Sequence, residues 1–270
     1  MAITTLDGII AALGNSAQQL VINKASITSQ VAGGFTSLWR ATGTPAQAAI
    51  PAAAATCDRT LLWAFGFTNP SAGLSSYIAR LMMLSSNSAT DVQIHDRLAH
   101  MGGLNGTLTT AQTVGVDVSV SALDSRRGYS SYSDVQWWLE WYTATGSTAV
   151  TATVSYTNAA GVSGKTTTVY IAASLAASRM LPIIGSGGEF IKSIQSVTLS
   201  ATTATAGSFG VTATRALCSL SLGLANSSVI GDWSLLGFPK VPDDSCLMMV
   251  MIPGATSSGT LYGTGKIIQG

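Results

Sequence analysis

Valine recurs at every second position through Val114, Val116, Val118 and Val120, against Gly115, Asp117, Ser119 and Ser121. Successive side chains on an extended chain point to opposite faces, so this period of two predicts a strand with one buried and one wet face, as in an antiparallel sheet. The same period returns at Val150, Ala152, Val154 and Tyr156, and at Val135, Trp137, Leu139 and Trp141. Thr145-Gly146-Ser147, between these two runs, reads as a hairpin turn. Leu61, Trp63, Phe65 and Phe67 alternate with Leu62, Ala64 and Gly66, which predicts a strand buried on both sides. Further strands are expected over 166–172, 194–203, 208–222, 246–252 and 260–268, with turn residues between them. Residues 75–83 and 91–98 fit either helix or strand, and the scarcity of strong helix formers around them favours strand. Thr/Val-rich runs punctuated by Gly and Asn favour a mainly β fold, an antiparallel β-sandwich or jelly-roll, over α/β.

The first 57 residues read differently. Leu6, Ile9, Ile10 and Leu13 recur at helical spacing, Thr4 or Thr5 can cap the helix, and Gly14 stands where a left-handed cap is wanted. A short apolar run, Gln19 to Ile22, follows. Gly33, Gly34, Gly43, Pro45 and Pro51 then break the chain, and Ala46 to Ala55 reads as an extended arm or loop. The expected organisation is an N-terminal helix and arm over 1–57 and one β-sandwich body over 58–270.

Charge narrows the function. Only 9% of the 270 residues are charged, against about 25% in an ordinary soluble domain. A folded monomer of this mass exposes roughly 11,000 Å², or about one charge per 400–450 Å². Much of the surface must then be small uncharged residues, or be covered by a partner, and a net charge of +1 fits a chain that lives inside an assembly. No run approaches the roughly 18 apolar residues of a spanning helix. Residues 1–7 carry no Lys or Arg and include Asp7, so an export signal is not expected. Cys57, Cys218 and Cys246 are odd in number and widely spaced, which points to free thiols rather than a disulfide framework or a metal site.

Each candidate for chemistry meets a plainer explanation. Ala159 to Thr166 fits the loose phosphate-loop pattern, but Thr167 to Ile171 after the lysine form strand and not the helix whose N-terminus must face the phosphate. His95 and His100, near Asp91 and Asp96, are five apart and do not converge on a strand or a helix. A nucleophile elbow of the Gly-x-Ser-x-Gly type does not occur. Glu140 and Glu189 are the only glutamates available to a glycosidase-like carboxylate pair, and Asp243-Asp244 reads as a polar turn rather than a calcium site. The only basic pair, Arg126-Arg127, neutralises too few phosphates for nucleic-acid binding and is expected to meet an acidic patch on a partner. No catalytic residue, metal or cofactor is therefore expected.

The segment Tyr129 to Tyr142 is the exception. It holds Tyr129, Tyr132, Trp137, Trp138, Trp141 and Tyr142, and Trp138 and Tyr142 cannot share the face of Trp137 and Trp141. One pair fills the core; the other needs a cover, which is a subunit interface, a stacked sugar, or a second layer of the same domain. The expected interface residues are Trp138, Tyr142, Arg126, Arg127 and Tyr129 in the body, with Leu6, Ile9, Ile10, Leu13 and Trp39 in the anchor region.

Ala2 to Leu13, Ser37 to Gly43 and Ile94 to Leu104 resemble stretches of structural proteins of tailed-bacteriophage particles. The resemblance implies a non-enzymatic virion component, a capsid decoration or cement protein that binds the major capsid protein or another virion protein, forms homo-oligomers, and contacts neither nucleic acid nor membrane. Its expected place is the virion, assembled in the host cytoplasm. The alternative is a carbohydrate-binding adhesion module of a tail or other surface structure.

Overall fold

The computed structural model describes residues 3–205 and 207–270, and it is mainly β, with three antiparallel sheets and one short helix near the N-terminus. Helix α1 (Leu6–Asn15) precedes β1 (Gln18–Lys24) and the two-residue strands β2 (Thr36–Ser37), β3 (Gly43–Thr44) and β4 (Ala55–Thr56). Next come β5 (Ser76–Ser85), β6 (Thr90–Asn105), β7 (Gln112–Asp117), β8 (Gln136–Trp141) and β9 (Val150–Asn158). They are followed by β10 (Lys165–Ile171), β11 (Met180–Ile183), β12 (Ile191–Leu199) and β13 (Ser208–Leu222). The order ends with β14 (Val229–Asp232), β15 (Lys240–Val241), β16 (Leu247–Ile252) and β17 (Leu261–Gln269).

The chain divides into two compact units: residues up to Ala48, Asp58–Asp96 and Ala216–Gly270 form the first, and Ala49–Cys57 with Arg97–Arg215 the second. Each unit takes part of β6 and part of β13.

In the first unit one sheet runs β14-β5-β17-β1-β3, with β15 also beside β5. Alternation along β1 buries Leu20 and Ile22 and leaves Gln19, Val21 and Asn23 exposed. The buried set joins Ile78, Leu81, Met83, Leu261 and Ile267, and packs on Val92, Ile94, Leu220, Leu222, Met249 and Met251 from the facing strands. A register shift pairs Lys266 with Arg80 but Ile267 with Ile78, so Ala79 is an extra residue in β5. Tyr77, Ala79 and Ile268 form a separate cluster with Ile9 and Ala12 of α1. Thr5 caps the helix, its Oγ1 accepting from the Gly8 amide at 3.1 Å. Gly14 lies inside the helix, not beyond it; the C-terminal cap is Ser16, whose amide donates to the Ala12 carbonyl at 2.9 Å.

In the second unit the sheet β10-β9-β12-β7 packs on β11, β8 and the unit's share of β13 and β6. Its core takes the alternating residues read from the sequence: Val114, Val116 and Val118; Val150, Ala152, Val154 and Tyr156; Trp137, Leu139 and Trp141. Trp141 stacks on Phe209 with centroids 4.5 Å apart.

Two expected elements differ. The hairpin across Thr145–Ser147 does not form, because β8 pairs with β11 and β13 whereas β9 pairs with β10 and β12. The connection carries the chain from one layer to the other, and Gly146 serves close packing: a Cβ there would lie 2.1 Å from the Thr203 carbonyl oxygen. Residues 61–67 form turns, not a strand, since Asp58 and Leu61 carbonyls accept from Leu61 and Ala64 amides. Phe65 and Phe67 still reach the core, and Phe65 bridges Leu247.

Candidate functional site

Of the aromatic segment singled out by sequence, Trp137, Trp138 and Trp141 lie on β8 and Tyr142 directly follows it, and Trp137 through Tyr142 are all buried. Trp138 is 3% and Tyr142 4% exposed, so both faces of this strand are covered inside its own unit. The cover is polar and ordered. Trp138 Nε1 donates to Thr214 Oγ1 at 2.8 Å, and Pro51 stands over Gly102 beside the Tyr142 ring.

A charged pair sits at the centre of that layer. Arg97 enters from β6 and its guanidinium meets the Glu140 carboxylate at 2.8 Å, with both side chains at most 1% exposed. Arg97 also donates to His100 Nδ1 at 2.9 Å, to Thr212 Oγ1 at 3.1 Å and to the Tyr142 hydroxyl at 3.3 Å. Thr212 donates in turn to Glu140 at 2.6 Å, and Tyr142 does so at 3.4 Å. Burial works against the charge on Arg97, but the Glu140 carboxylate, with smaller help from Tyr142 and Cys57, offsets it and holds the proton more tightly than usual. Burial, reinforced by Glu140, raises the Tyr142 phenol above its ordinary range. Glu140, His100 and Tyr142 are thus tied into a buried ion-pair network, an arrangement that orients a core. The aromatic run marked Glu140, Trp138 and Tyr142 in the sequence; the counter-ion of Glu140, Arg97, went unmarked, because it stands on β6 among Asp91, His95, Asp96 and His100, where one more charge is no signal.

The arginines are engaged within the same unit. Arg126 is 3% exposed and donates to the carbonyls of Cys57, at 2.5 Å, and Arg97, at 3.0 Å. Arg127 pairs with Asp124 at 2.5 Å and lies 5.1 Å from the Tyr132 ring centroid. Tyr129 is exposed. The phosphate-loop-like stretch is the β9–β10 hairpin loop, as its strand context predicted, and Lys165 bonds Glu189 at 3.3 Å. Glu189 also accepts from Tyr156 at 2.5 Å and Asn158 at 2.8 Å, and these donors, Asn158 first, hold its carboxyl below the usual range.

In the first unit, His95 is fully buried with Nε2 2.8 Å from Gln93 Oε1, and burial pushes its imidazole down to about 3. Asp96 accepts from the Cys246 amide at 2.8 Å. Asp244 is held in its turn by Arg59 at 3.1 Å and Asn69 at 2.9 Å. Among the described residues no group of three or more His, Cys, Asp or Glu is placed to hold a metal ion, and no helix is long and apolar enough to cross a membrane. Trp39 is buried edge-on to Trp63 at 5.9 Å.

The remaining sequence-marked residues divide by face. Ile9 is buried under α1, whereas Leu6, Ile10 and Leu13, at the i, i+4, i+7 spacing of one helical stripe, are 54%, 59% and 38% exposed. This stripe is the one group of sequence-marked side chains that the structure presents together at the surface.

No family model and no curated protein matches the chain. Among solved structures it is similar to the infectious bursal disease virus VP2 subviral particle, at 10% identity and a TM-score of 0.20, over 94% of this chain and 79% of that one. The Gt strain of that virus gives 10% identity and a TM-score of 0.19 over 94% and 79%. T=1 particles derived from it give 9%, 0.18, 94% and 77%. Superposition at this level fixes neither a shared fold nor a shared function.

Proposed function

We propose that the protein is a non-enzymatic structural component of a virion, of the decoration or cement type, held on a protein shell through the apolar stripe of α1. The observation that carries the reading is Leu6, Ile10 and Leu13 standing in solvent while Ile9 and Ala12 fix the helix to its sheet. A rigidly mounted, exposed apolar stripe on a charge-poor chain gains free energy when a second protein covers it, at about 25 cal/mol per Å² before association costs. The partner in this reading is the major capsid protein or another virion protein. The groups an enzyme would need, Glu140, His95 and His100, are buried in structural bonds, and the aromatics for a sugar platform, Trp138 and Tyr142, lie beneath the surface.

The test is copy number in purified particles. The triple variant Leu6→Ser, Ile10→Ser, Leu13→Ser, at about 0.5 kcal/mol or less for each exposed change, is expected to lose no more than about 1.5 kcal/mol of stability and to be lost from particles. Retention at unchanged copy number would remove the anchor, and particles that never contain the chain would remove the virion assignment itself.

A further inference from the structure

Sheet edges are where a β protein invites another chain, and proteins defend them with charges, proline, bulges or brevity. Most edges here are defended. β2 and β3 are two residues long, β14 has four and ends in Asp232, and β11 has four with Pro182 among them. β7 carries Gly115 in the left-handed region, at φ +65°, and ends in Asp117. Strand β10 is the contrast. It is a seven-residue edge, Lys-Thr-Thr-Thr-Val-Tyr-Ile, whose only charge, Lys165, stands at its first position and is bonded to Glu189. Beyond the ladder to β9, no backbone group of Lys165–Ile171 is hydrogen-bonded among the described residues. Threonine, valine, tyrosine and isoleucine are also the residues that suit a paired strand best.

We propose that β10 is a self-association edge, and that its occupant is β10 of a second copy of this chain, added antiparallel about a two-fold axis at Thr168. The strand is its own complement in that register. Thr168 faces Thr168 of the copy, Thr166 faces Tyr170, and Thr167 faces Val169. The parity is right as well, because Thr166, Thr168 and Tyr170 are all exposed on one face, so polar side chains meet polar and aromatic ones; on the inward side Thr167, whose hydroxyl donates to the Ile184 carbonyl at 2.7 Å, faces Val169, and Ile171 at the strand's end faces Lys165. Threonine pairs and threonine–aromatic pairs across strands are favourable, and no like charges are brought together in the paired residues from 166 to 170. With a net charge of +1, two copies approach without appreciable long-range repulsion. The product joins two four-stranded sheets into one of eight strands.

This association needs no shell, so it stands or falls separately from the virion assignment. Sedimentation of the full-length chain from about 1 to about 100 μM, with no particles present, is expected to show a reversible dimer. Thr168→Lys, which leaves the fold intact at an exposed position, and Thr168→Pro, which removes an N–H from the ladder, are each expected to weaken it by about tenfold or more. Thr168→Cys is expected to give a covalent dimer with a short bifunctional thiol reagent, since directly opposed side chains stand about 4.5–5.5 Å apart at Cβ, somewhat more than a disulfide spans. Thr153→Cys, next to Thr168 on the interior strand β9, is expected not to. A monomer at every concentration overturns the proposal. So does a dimer indifferent to Thr168→Lys in which Thr168→Cys fails to cross-link, which would place another surface between the copies.

Discussion

Arg97 and Glu140 show at what free-energy risk this chain buries a pair of charges. Their mutual attraction and the bonds from Thr212 and Tyr142 offset two large desolvation terms, and removing one partner leaves the other charged in the interior. Glu140→Gln or Arg97→Met is therefore expected to destabilise by about 3–5 kcal/mol in urea unfolding, whereas the paired replacement Arg97→Met with Glu140→Leu recovers most of that loss. His95 carries a pH signature. Its imidazole titrates near 3 when folded and near 6.5 when unfolded, so between those values the unfolded chain binds a proton that the folded one does not. The stability gained by keeping His95 neutral is complete above about pH 6.5 and is lost as pH falls toward 3. Urea midpoints followed through that window are expected to fall more steeply for the wild type than for His95→Gln, and parallel slopes would refute the assignment.

At the scale of elements, period-two alternation made most of the long strands legible, because burial on one face writes itself directly into neighbouring positions. Val114 to Val118 and Val150 to Tyr156 fill the core that their spacing predicts. Partnership was not legible in the same way. β8 and β9 are consecutive and separated by a plausible turn, yet each finds its neighbours elsewhere, since two apolar strand faces are better buried in opposite layers than side by side. The alternation at 61–67 likewise reports burial of Phe65 and Phe67 but not backbone pairing, which Asp58 and Leu61 divert into turns. The aromatic segment marked a special place correctly, but not what covers it. That depends on Arg97, Thr212 and residues near Pro51, brought in from distant parts of the chain, and no local pattern encodes such meetings.

On the scale of the whole molecule, neither unit is a continuous stretch of chain. Removing residues 1–57 takes β1, with β3 beyond it, from the edge of β17, β2 from β16, and β4 from β6. Leu20, Ile22 and Leu38 leave the first unit's core with them, each worth roughly 1.5–3 kcal/mol of burial, a sum comparable to the ~5–15 kcal/mol that holds a whole domain. The fragment 58–270 is thus expected to lose its cooperative thermal transition, which calorimetry would register directly. The ladder from Gln18↔Ile267 to Lys24↔Leu261 also orders events in time. During synthesis β1 leaves the ribosome well before its neighbour β17, which lies more than 200 residues further along the chain. The first unit must wait, partly assembled and with apolar strands uncovered, until β17 is out of the ribosome, so chaperone occupancy on the newly made chain should fall once residues 261–269 are free to pair.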